Sequence, residues 1–219
     1  MYRLIALLLG YAIGCVQTAY IVGRINGMDI RDHGSKNAGM TNVTRTLGKR
    51  AGAFVFAADI LKSVAAFLLA AWIFRCGGIF CEIRDCEWAY EHEHVCGCVS
   101  RGLAGLYGAI GAVLGHCFPF FLKFRGGKGV SCAIGLILVF DWRVAIFAYV
   151  LGFIAVCITR YISLASLVIT LSAAVATVIF RHSAEAIALM FGLAALIWFL
   201  HRENIKRILS GNERKFLKK

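Results

Sequence analysis

Residues Leu4 to Gly23 read LIALLLGYAIGCVQTAYIVG, an uncharged apolar run of twenty residues between Arg3 and Arg24. A helix of that length spans about 30 Å, the thickness of the hydrocarbon core of a bilayer. The rest of the chain is similar, since 60% of its 219 residues are apolar, its mean hydropathy is +0.75 and it has a single proline. The sequence therefore predicts an all-α, polytopic integral membrane protein, with residues 1–219 forming a single membrane domain.

Six further apolar runs follow the first, and polar segments separate them. They are Ala51 to Phe74, Gly102 to Leu122, a short run ending at Phe140, Val144 to Thr159, a run ending at Phe180, and Glu185 to Leu200. The two runs between Gly129 and Thr159 are shorter than a full span. Counting each of the seven apolar runs as one helix, we expect about seven transmembrane helices. An odd number of spans places the two termini on opposite faces.

Lysine and arginine are unevenly divided between those faces. With seven spans, 17 of the 24 basic residues fall on one side and six on the other, and Lys62 lies inside a span. The positive-inside rule then places the N-terminus outside and the C-terminus in the cytoplasm. A net charge of +12 would indicate nucleic acid in a soluble protein, but these cations lie between apolar runs. Anionic lipid and anionic substrates are the expected partners, and nucleic acid is not.

Two of the runs carry residues that bear on packing. Asp59 and Lys62 are three residues apart, so they share a helix face and can neutralise each other; a structural ion pair is favoured over a catalytic role. Glycines recur along the third run, which allows neighbouring helices to approach closely. His116, near the end of that run, is a candidate ligand or base, although a hydrogen-bonded histidine at a helix end is more common. The glycines are Gly102, Gly105, Gly108, Gly111 and Gly115.

The segment from Arg75 to Arg101 is a cysteine-rich insert on the predicted outer face. Its cysteines can pair as disulfides with one left over, or can join its two histidines around zinc. The spacing matches no standard zinc pattern, and we assign the insert no role in catalysis. The residues concerned are Cys76, Cys81, Cys86, Cys96, Cys98, His92 and His94.

A polar stretch after the first run, Gly34 to Arg50, reads GSKNAGMTNVTRTLGKR and is here called the first loop. It combines hydroxyl side chains, amides, glycines and cations. Hydroxyl and backbone N–H donors together with guanidinium charge suit a dianionic phosphate. The first loop is therefore predicted to cradle phosphate at the membrane surface. The alternative is a loop made basic only to fix the membrane topology.

Three more polar motifs fall on the same predicted cytoplasmic side. They are the second loop, Phe124 to Gly129 with its sequence FRGGKG, then Ser163 with Ser166, and His201 with Asn204. The members of each pair are three residues apart and can share a helix face. A single phosphate site is therefore expected. The set lacks the paired acids of a glycosidase, a hydrolytic metal cluster, the P-loop pattern, the Gly-x-Ser-x-Gly elbow and His-x-x-x-x-Asp.

Four segments together carry a resemblance to a known family. GSKNAGMTNVTRTLGKR, GHCFPFFLKFRGGKGV, RYISLAS and HRENIKRILSGNE resemble, in order, the signatures of the bacterial acyl-phosphate-dependent glycerol-3-phosphate acyltransferases, the PlsY family. The match covers nearly the whole chain apart from the insert. It departs from the family pattern at Lys36, usually glycine, at Met40, usually alanine, at Arg125, usually lysine, and at Ser131-Cys132, usually Ala-Thr.

The resemblance implies a seven-helix enzyme of the bacterial cytoplasmic membrane with its active site on the cytoplasmic face. Such an enzyme moves a fatty acyl group from acyl phosphate to the 1-hydroxyl of sn-glycerol 3-phosphate, giving lysophosphatidic acid and phosphate. It needs no cofactor and no metal, and an enzyme that produces acyl phosphate acts upstream of it. By similarity, catalysis involves His201, Asn204, Ser35 and Lys128, and phosphate binding involves Ser35, Asn37, Thr41, Asn42, Arg45, Gly126, Gly127, Lys128 and Ser166.

Acyl phosphate is already activated, so the protein mainly positions the substrates and neutralises charge. We expect direct attack by the glycerol hydroxyl without an acyl-enzyme, with the proton going to His201 or to a phosphate oxygen of the substrate. The alternative function is a transporter of a phosphorylated anion, although such a protein would place polar groups midway through its spans. A scaffold that binds acidic lipids leaves the glycine loops unexplained.

Overall fold

The structure, a computed structural model, describes residues 1–74 and 98–215. Within those ranges the chain is helical and contains no strand, which confirms the all-α prediction. Most of the predicted insert, residues 75–97, lies outside the described residues. Backbone proximity divides the chain into two compact units, Met1–Phe140 and Asp141–Lys219, and each is described by itself. The single membrane domain stays a prediction.

The first unit is built around one long helix, α4, which packs against α1, α2, α3, α5 and α6. Short 3₁₀ turns at Ile30–Asp32 and Phe120–Leu122 lie in its connections. The helices described in this unit are α1 Tyr2–Gly14, α2 Thr18–Ile25, α3 Met40–Leu47, α4 Lys49–Ile73, α5 Cys98–Cys117 and α6 Val130–Phe140.

The first apolar run is not one continuous helix, so that expectation for Leu4 to Gly23 is wrong. The run breaks between Gly14 and Thr18, although Tyr2–Ile25 as a whole is long and apolar enough for one span. The buried Gln17 amide stabilises the break, because Nε2 donates to the carbonyl of His116 at 3.0 Å and lies within 3.4 Å of two further carbonyl oxygens. Inside a bilayer, such backbone groups need partners from the protein itself.

Glycines let α1 and α5 touch backbone to backbone. A Cβ at Gly111 would collide with the carbonyl oxygen of Leu7, and one at Gly115 with that of Tyr11. Glycines of α1 meet α5 in the same way, since a Cβ at Gly10 would collide with the carbonyl oxygen of Gly108. The predicted packing role is thus confirmed for Gly108, Gly111 and Gly115, and for Gly105, where a Cβ would collide with the Phe67 ring of α4. Among the described residues, nothing lies within 4 Å of a Cβ at Gly102.

The second unit is a smaller set of helices arranged around α8. Its helices are α7 Trp142–Thr159, α8 Ile162–Ile179, α9 Ala184–Leu200 and α10 Arg202–Leu209, and α8 packs against the other three. The side chain of Asp141 caps α7 by accepting from the backbone N–H of Arg143 at 2.8 Å. The indole of Trp198 donates to the carbonyl of Leu167 at 3.2 Å and so ties α9 to α8.

Five stretches of the described chain are long and apolar enough to cross a membrane, and a sixth is added if α9 and α10, bent by 64°, form one span. Helix α6, at 11 residues, is the one shorter apolar helix among the described residues. An integral membrane protein with multiple spans is confirmed. The count of seven and the orientation of the termini stay predictions.

We predict that Gly111→Ala lowers the free energy of unfolding by about 1–3 kcal/mol, because the new methyl group must push α1 and α5 apart. Thermal unfolding of the purified protein in detergent measures the effect. Gly102→Ala is the matched control, since no atom of the described residues lies within 4 Å of a Cβ there, and its Tm should equal or exceed that of the wild type. Equal Tm values for the two variants would contradict the packing role of Gly111.

Candidate active site

The first loop is organised by the buried amide of Asn42. Its Oδ1 accepts from the backbone N–H of Ser35 at 2.8 Å, and its Nδ2 donates to the carbonyls of Ile30 at 2.9 Å and His33 at 3.0 Å. Both N–H donors of Asn42 are therefore taken up inside the loop. The amide fixes the turn that carries Ser35, whose own side chain remains exposed.

The second half of the first loop is helical, which the sequence did not predict. Helix α3 begins after Gly39 and carries Thr41 and Arg45, four residues apart and so on one face. Arg45 is exposed, whereas Thr41 is half-buried, as is Asn37 just before the helix. An N-terminal helix turn offers N–H donors to an anion, so this placement is compatible with phosphate binding.

Two residues of the first loop have backbone angles in the left-handed region. Gly34 has a φ of 60° and Lys36 has a φ of 58°. The left-handed conformation suits glycine and costs other residues roughly 1–2 kcal/mol. Lys36 stands where the resembled family usually has glycine, and the backbone angle gives a physical reason for that preference.

The second loop folds back onto the last turn of α5. The N–H of Gly126 donates to the carbonyl of Cys117 at 3.1 Å, and the N–H of Gly127 donates to that of His116 at 3.0 Å. A Cβ at Gly126 would collide with the His116 carbonyl oxygen, and one at Gly127 would collide with the His116 ring. Both positions thus require glycine. Lys128 follows, half-buried, two residues before α6 begins.

The two loops touch each other within the first unit. A Cβ at Gly127 would lie 2.8 Å from the carbonyl oxygen of Ala38, which is part of the first loop. Just before the first loop, the Arg31 guanidinium donates to both carboxylate oxygens of Asp29, at 3.0 and 2.7 Å. It also donates to the carbonyl of Leu122, which precedes the second loop, at 3.4 Å. The structure therefore brings together the first loop and the loop that carries Lys128.

A buried charged cluster lies beneath the second loop. Lys62 Nζ is 2.8 Å from Asp59 Oδ1 and 3.0 Å from His116 Nδ1, so the predicted ion pair is confirmed and His116 joins it. Asp59 is fully buried. Ligand atoms of Asp59, His116 and Cys132 lie within 4.8 Å of one another, which makes them the candidate metal ligands among the described residues.

In the second unit the carboxylate of Glu213 bonds to one residue of the Ser163 and Ser166 motif and to one residue of the His201 and Asn204 motif. Glu213 accepts from Ser163 Oγ at 2.9 Å, from Asn204 Nδ2 at 2.8 Å and from Arg207 Nε at 2.7 Å. Partial burial alone would raise the pKa of Glu213, but the hydrogen bonds from Asn204, Arg207 and Ser163 outweigh it and lower the pKa below its ordinary value. The carboxylate therefore stays charged and fixes Asn204 against α8.

Two more of the predicted residues are buried in the second unit. Ser166 Oγ donates to the carbonyl of Ile162 at 2.9 Å, one turn back along α8. His201 Nδ1 lies 2.8 Å from the carbonyl oxygen of Ile197. Because a carbonyl oxygen only accepts, Nδ1 carries the hydrogen, and in the neutral ring the lone pair is on Nε2. His201 is thus held in the tautomer that a general base requires at Nε2.

Sequence reasoning missed Glu213. The signal was present, because Glu213 is an acidic residue in a basic tail and ends the segment HRENIKRILSGNE. The structure joins the first and second loops in one unit, and Ser163 with Asn204 in the other. The meeting of all four motifs in one site stays a prediction.

Comparison with known proteins decides the family. Residues 4–211 match the family model described as glycerol-3-phosphate acyltransferase. The chain belongs to this family. It is 39% identical to the glycerol-3-phosphate acyltransferase of Clostridioides difficile strain 630, over 98% of this chain and 95% of that protein. It is 35% identical to the protein of the same name from Thermoanaerobacter sp. strain X514, over 98% of this chain and 96% of that protein.

Solved structures agree with this assignment. The fold is similar to that of PlsY, an integral membrane glycerol 3-phosphate acyltransferase, in its glycerol 3-phosphate form, with a TM-score of 0.80 and 30% identity. The alignment covers 99% of this chain and 96% of that one. The lysophosphatidic acid form of PlsY gives a TM-score of 0.77 at 29% identity. The resemblance to the PlsY family stated from the motifs is confirmed.

We predict that Lys36→Gly stabilises the protein by about 1 kcal/mol, because glycine adopts the left-handed conformation of this turn without a steric penalty. For a chain of this size, the corresponding rise in Tm is about 2–4 °C. Lys36→Ala is the control: it removes the charge but keeps the Cβ, and we expect no gain. A Lys36→Gly variant no more stable than Lys36→Ala would rule out backbone strain at this turn.

We predict that Glu213→Gln lowers the free energy of unfolding by about 2 kcal/mol near neutral pH, because three bonds to a charged acceptor are weakened. Because folding lowers the pKa of Glu213, its charge stabilises the fold at pH values above the pKa of glutamate in the unfolded chain, about 4.3. This contribution is lost as the pH falls through the pKa of Glu213 in the folded state. The difference in Tm between wild type and variant should therefore shrink below about pH 4. Glu203→Gln, at an exposed ion pair with Lys206, is the control. A difference independent of pH would argue against this role of the charge.

Proposed function

We propose that this chain transfers a fatty acyl group from acyl phosphate to the 1-hydroxyl of sn-glycerol 3-phosphate. The hydroxyl oxygen attacks the acyl carbonyl carbon, the bond from that carbon to the phosphate oxygen breaks, and inorganic phosphate leaves. The product is lysophosphatidic acid, made without an acyl-enzyme. This is the first acylation of phospholipid synthesis.

The observation that carries the proposal is the likeness over nearly the whole chain to PlsY in its glycerol 3-phosphate and lysophosphatidic acid forms. Glycerol 3-phosphate and lysophosphatidic acid differ by one acyl group, so they are acceptor and product of a single acylation. Acyl phosphate as the donor rests on the motif resemblance. Two phosphate-bearing substrates also account for two cationic, glycine-rich loops.

The contacts in the first unit support roles for the two loops. Ser35 and Arg45 bind phosphate from the first loop, with Asn37 and Thr41 beside them. Asn42 acts mainly by shaping that loop, since its N–H donors are bonded within it. Lys128 binds phosphate from the second loop, where Gly126 and Gly127 admit the backbone close to α5. Positive side chains near helix N-termini favour a dianion and neutralise the charge of the leaving phosphate.

The second unit supplies the polar residues of the reaction. His201, with its hydrogen on Nδ1, accepts the hydroxyl proton at Nε2. A phosphate oxygen of the substrate is the other candidate acceptor. Asn204, fixed by Glu213, and Ser166 complete the site. The site opens on the cytoplasmic face of the bacterial cytoplasmic membrane, where an enzyme that makes acyl phosphate supplies the donor.

We predict product formation from palmitoyl phosphate and none from palmitoyl-CoA when purified protein is given radiolabelled glycerol 3-phosphate. Arg45→Ala and Lys128→Ala should each lower kcat/KM by about 100-fold or more, since each removes a charge at a phosphate. Lys206→Ala is the matched control, because it removes one exposed cation that pairs with Glu203 outside the site. Its kcat/KM should equal that of the wild type.

Other outcomes would redirect the assignment. Product from palmitoyl-CoA alone would refute the donor class but leave the acceptor intact. A covalent acyl-serine trapped at Ser35 or Ser166 would refute direct attack. Absence of product from both donors, with anion uptake into liposomes, would favour a transporter of a phosphorylated anion.

A further inference from the structure

The ammonium group of Lys62 is saturated by three acceptors from three different parts of the chain. It is 2.8 Å from Asp59 Oδ1 on α4, 2.9 Å from the carbonyl oxygen of Val16 in the break between α1 and α2, and 3.0 Å from His116 Nδ1 on α5. An ammonium has three hydrogens, so every donor has a partner. Lys62 and His116 are both buried.

These contacts fix the protonation of His116. The ammonium only donates, so Nδ1 accepts and the ring hydrogen is on Nε2. Nδ1 also lies 3.6 Å from Asp59 Oδ1, but an ion pair there would need a hydrogen on Nδ1. The shorter bond with Lys62 decides between the two. His116 is therefore a neutral ring oriented by a buried charge pair.

The far edge of the same ring contacts the second loop. A Cβ at Gly127 would collide with His116 Nε2 and would lie 2.8 Å from His116 Cε1. The backbone of His116 also accepts from the N–H of Gly127, and Gln17 donates to that same carbonyl. A continuous line of contacts thus runs from Asp59 and Lys62 through His116 to the residue before Lys128.

We propose that Asp59, Lys62 and His116 are positioning residues that set the second loop against the first, and with it the place of Lys128. Gly127 lies between the His116 ring on one side and the Ala38 carbonyl on the other. Moving the ring moves the point at which the two loops meet. The inference rests on the proposed function, since the positioned group is the phosphate-binding lysine of that site.

A metal site is the competing explanation for these residues. Asp59, His116 and Cys132 have suitable ligand atoms, but Lys62 already bonds to Oδ1 of Asp59 and to Nδ1 of His116. A metal ion bound to those atoms would displace the ammonium from two of its three acceptors and leave a buried charge short of partners, which is unfavourable. The observed contacts favour the positioning role.

The test is His116→Asn in the full-length protein. An asparagine oxygen lies near the position of Nδ1 and still accepts from Lys62, so the fold is kept, but the ring edge against Gly127 is gone. We expect KM for glycerol 3-phosphate to rise about 10-fold with kcat changed less than about 3-fold, and Tm to stay near that of the wild type. The double variant Asp59→Asn with Lys62→Met leaves no unpaired buried charge and should raise KM in the same way.

Cys132→Ala is the matched control, because it removes a candidate metal ligand of the same buried region but no contact in the line to Gly127. Its KM should be unchanged, and elemental analysis should find no stoichiometric zinc in the wild type. Zinc at one per chain, lost together with activity in Cys132→Ala, would overturn the inference in favour of a metal site. So would unchanged KM values in both His116→Asn and the double variant.

The outcome is separable from that of the proposed function. A wild type that transfers no acyl group refutes the function, and the inference is then tested by binding alone. Glycerol 3-phosphate should raise the Tm of the wild type, and about 10-fold more ligand should be needed for the same rise in His116→Asn. Equal ligand requirements would overturn the positioning role.

Discussion

Inside a bilayer, every backbone group at a helix end needs a partner from the protein, and the core of the first unit depends on this requirement. The break after α1 leaves backbone carbonyls without partners inside a helix. Lys62 takes the carbonyl of Val16, and Gln17 bonds to those of Gly14, Gly115 and His116. The break in one helix, the middle of α4 and the end of α5 are thereby joined by polar side chains. The last turn of α5 is consequently held in place, and the second loop packs onto it.

Glycines allow two different kinds of close contact with helix α5. Gly111 and Gly115 bring it against the backbone of α1, which holds the helix in the bundle. A few residues later, Gly126 and Gly127 let the chain return onto the last turn of the same helix. The core packing and the second loop therefore share one support, so a substitution that displaces α5 affects both the stability of the fold and the position of the second loop.

Much of the fold was predictable from local sequence, because a membrane-spanning helix requires a long apolar run that can be recognised in the sequence. The pairing of Asp59 with Lys62 was predictable from their spacing of three residues on one helix. The break in the first run was not, since the side chain that stabilises it, Gln17, finds its partner 98 residues away. Glu213 was missed for the same reason: its bond to Ser163 spans 50 residues. The residue types of the candidate site could be predicted from the motifs, whereas the shaping role of Asn42 depends on a turn that is visible only in the structure.

The two buried histidines illustrate how partners assign roles that sequence cannot. His201 faces a carbonyl through Nδ1 and so keeps its lone pair on Nε2, whereas His116 faces an ammonium through Nδ1 and so carries its hydrogen on Nε2. The two rings are in opposite tautomers. A base must offer a lone pair, which His201 does at the ring nitrogen away from its backbone bond. His116 has its lone pair committed to Lys62, so the two tautomers match the two roles that we propose, proton transfer for His201 and support of the second loop for His116.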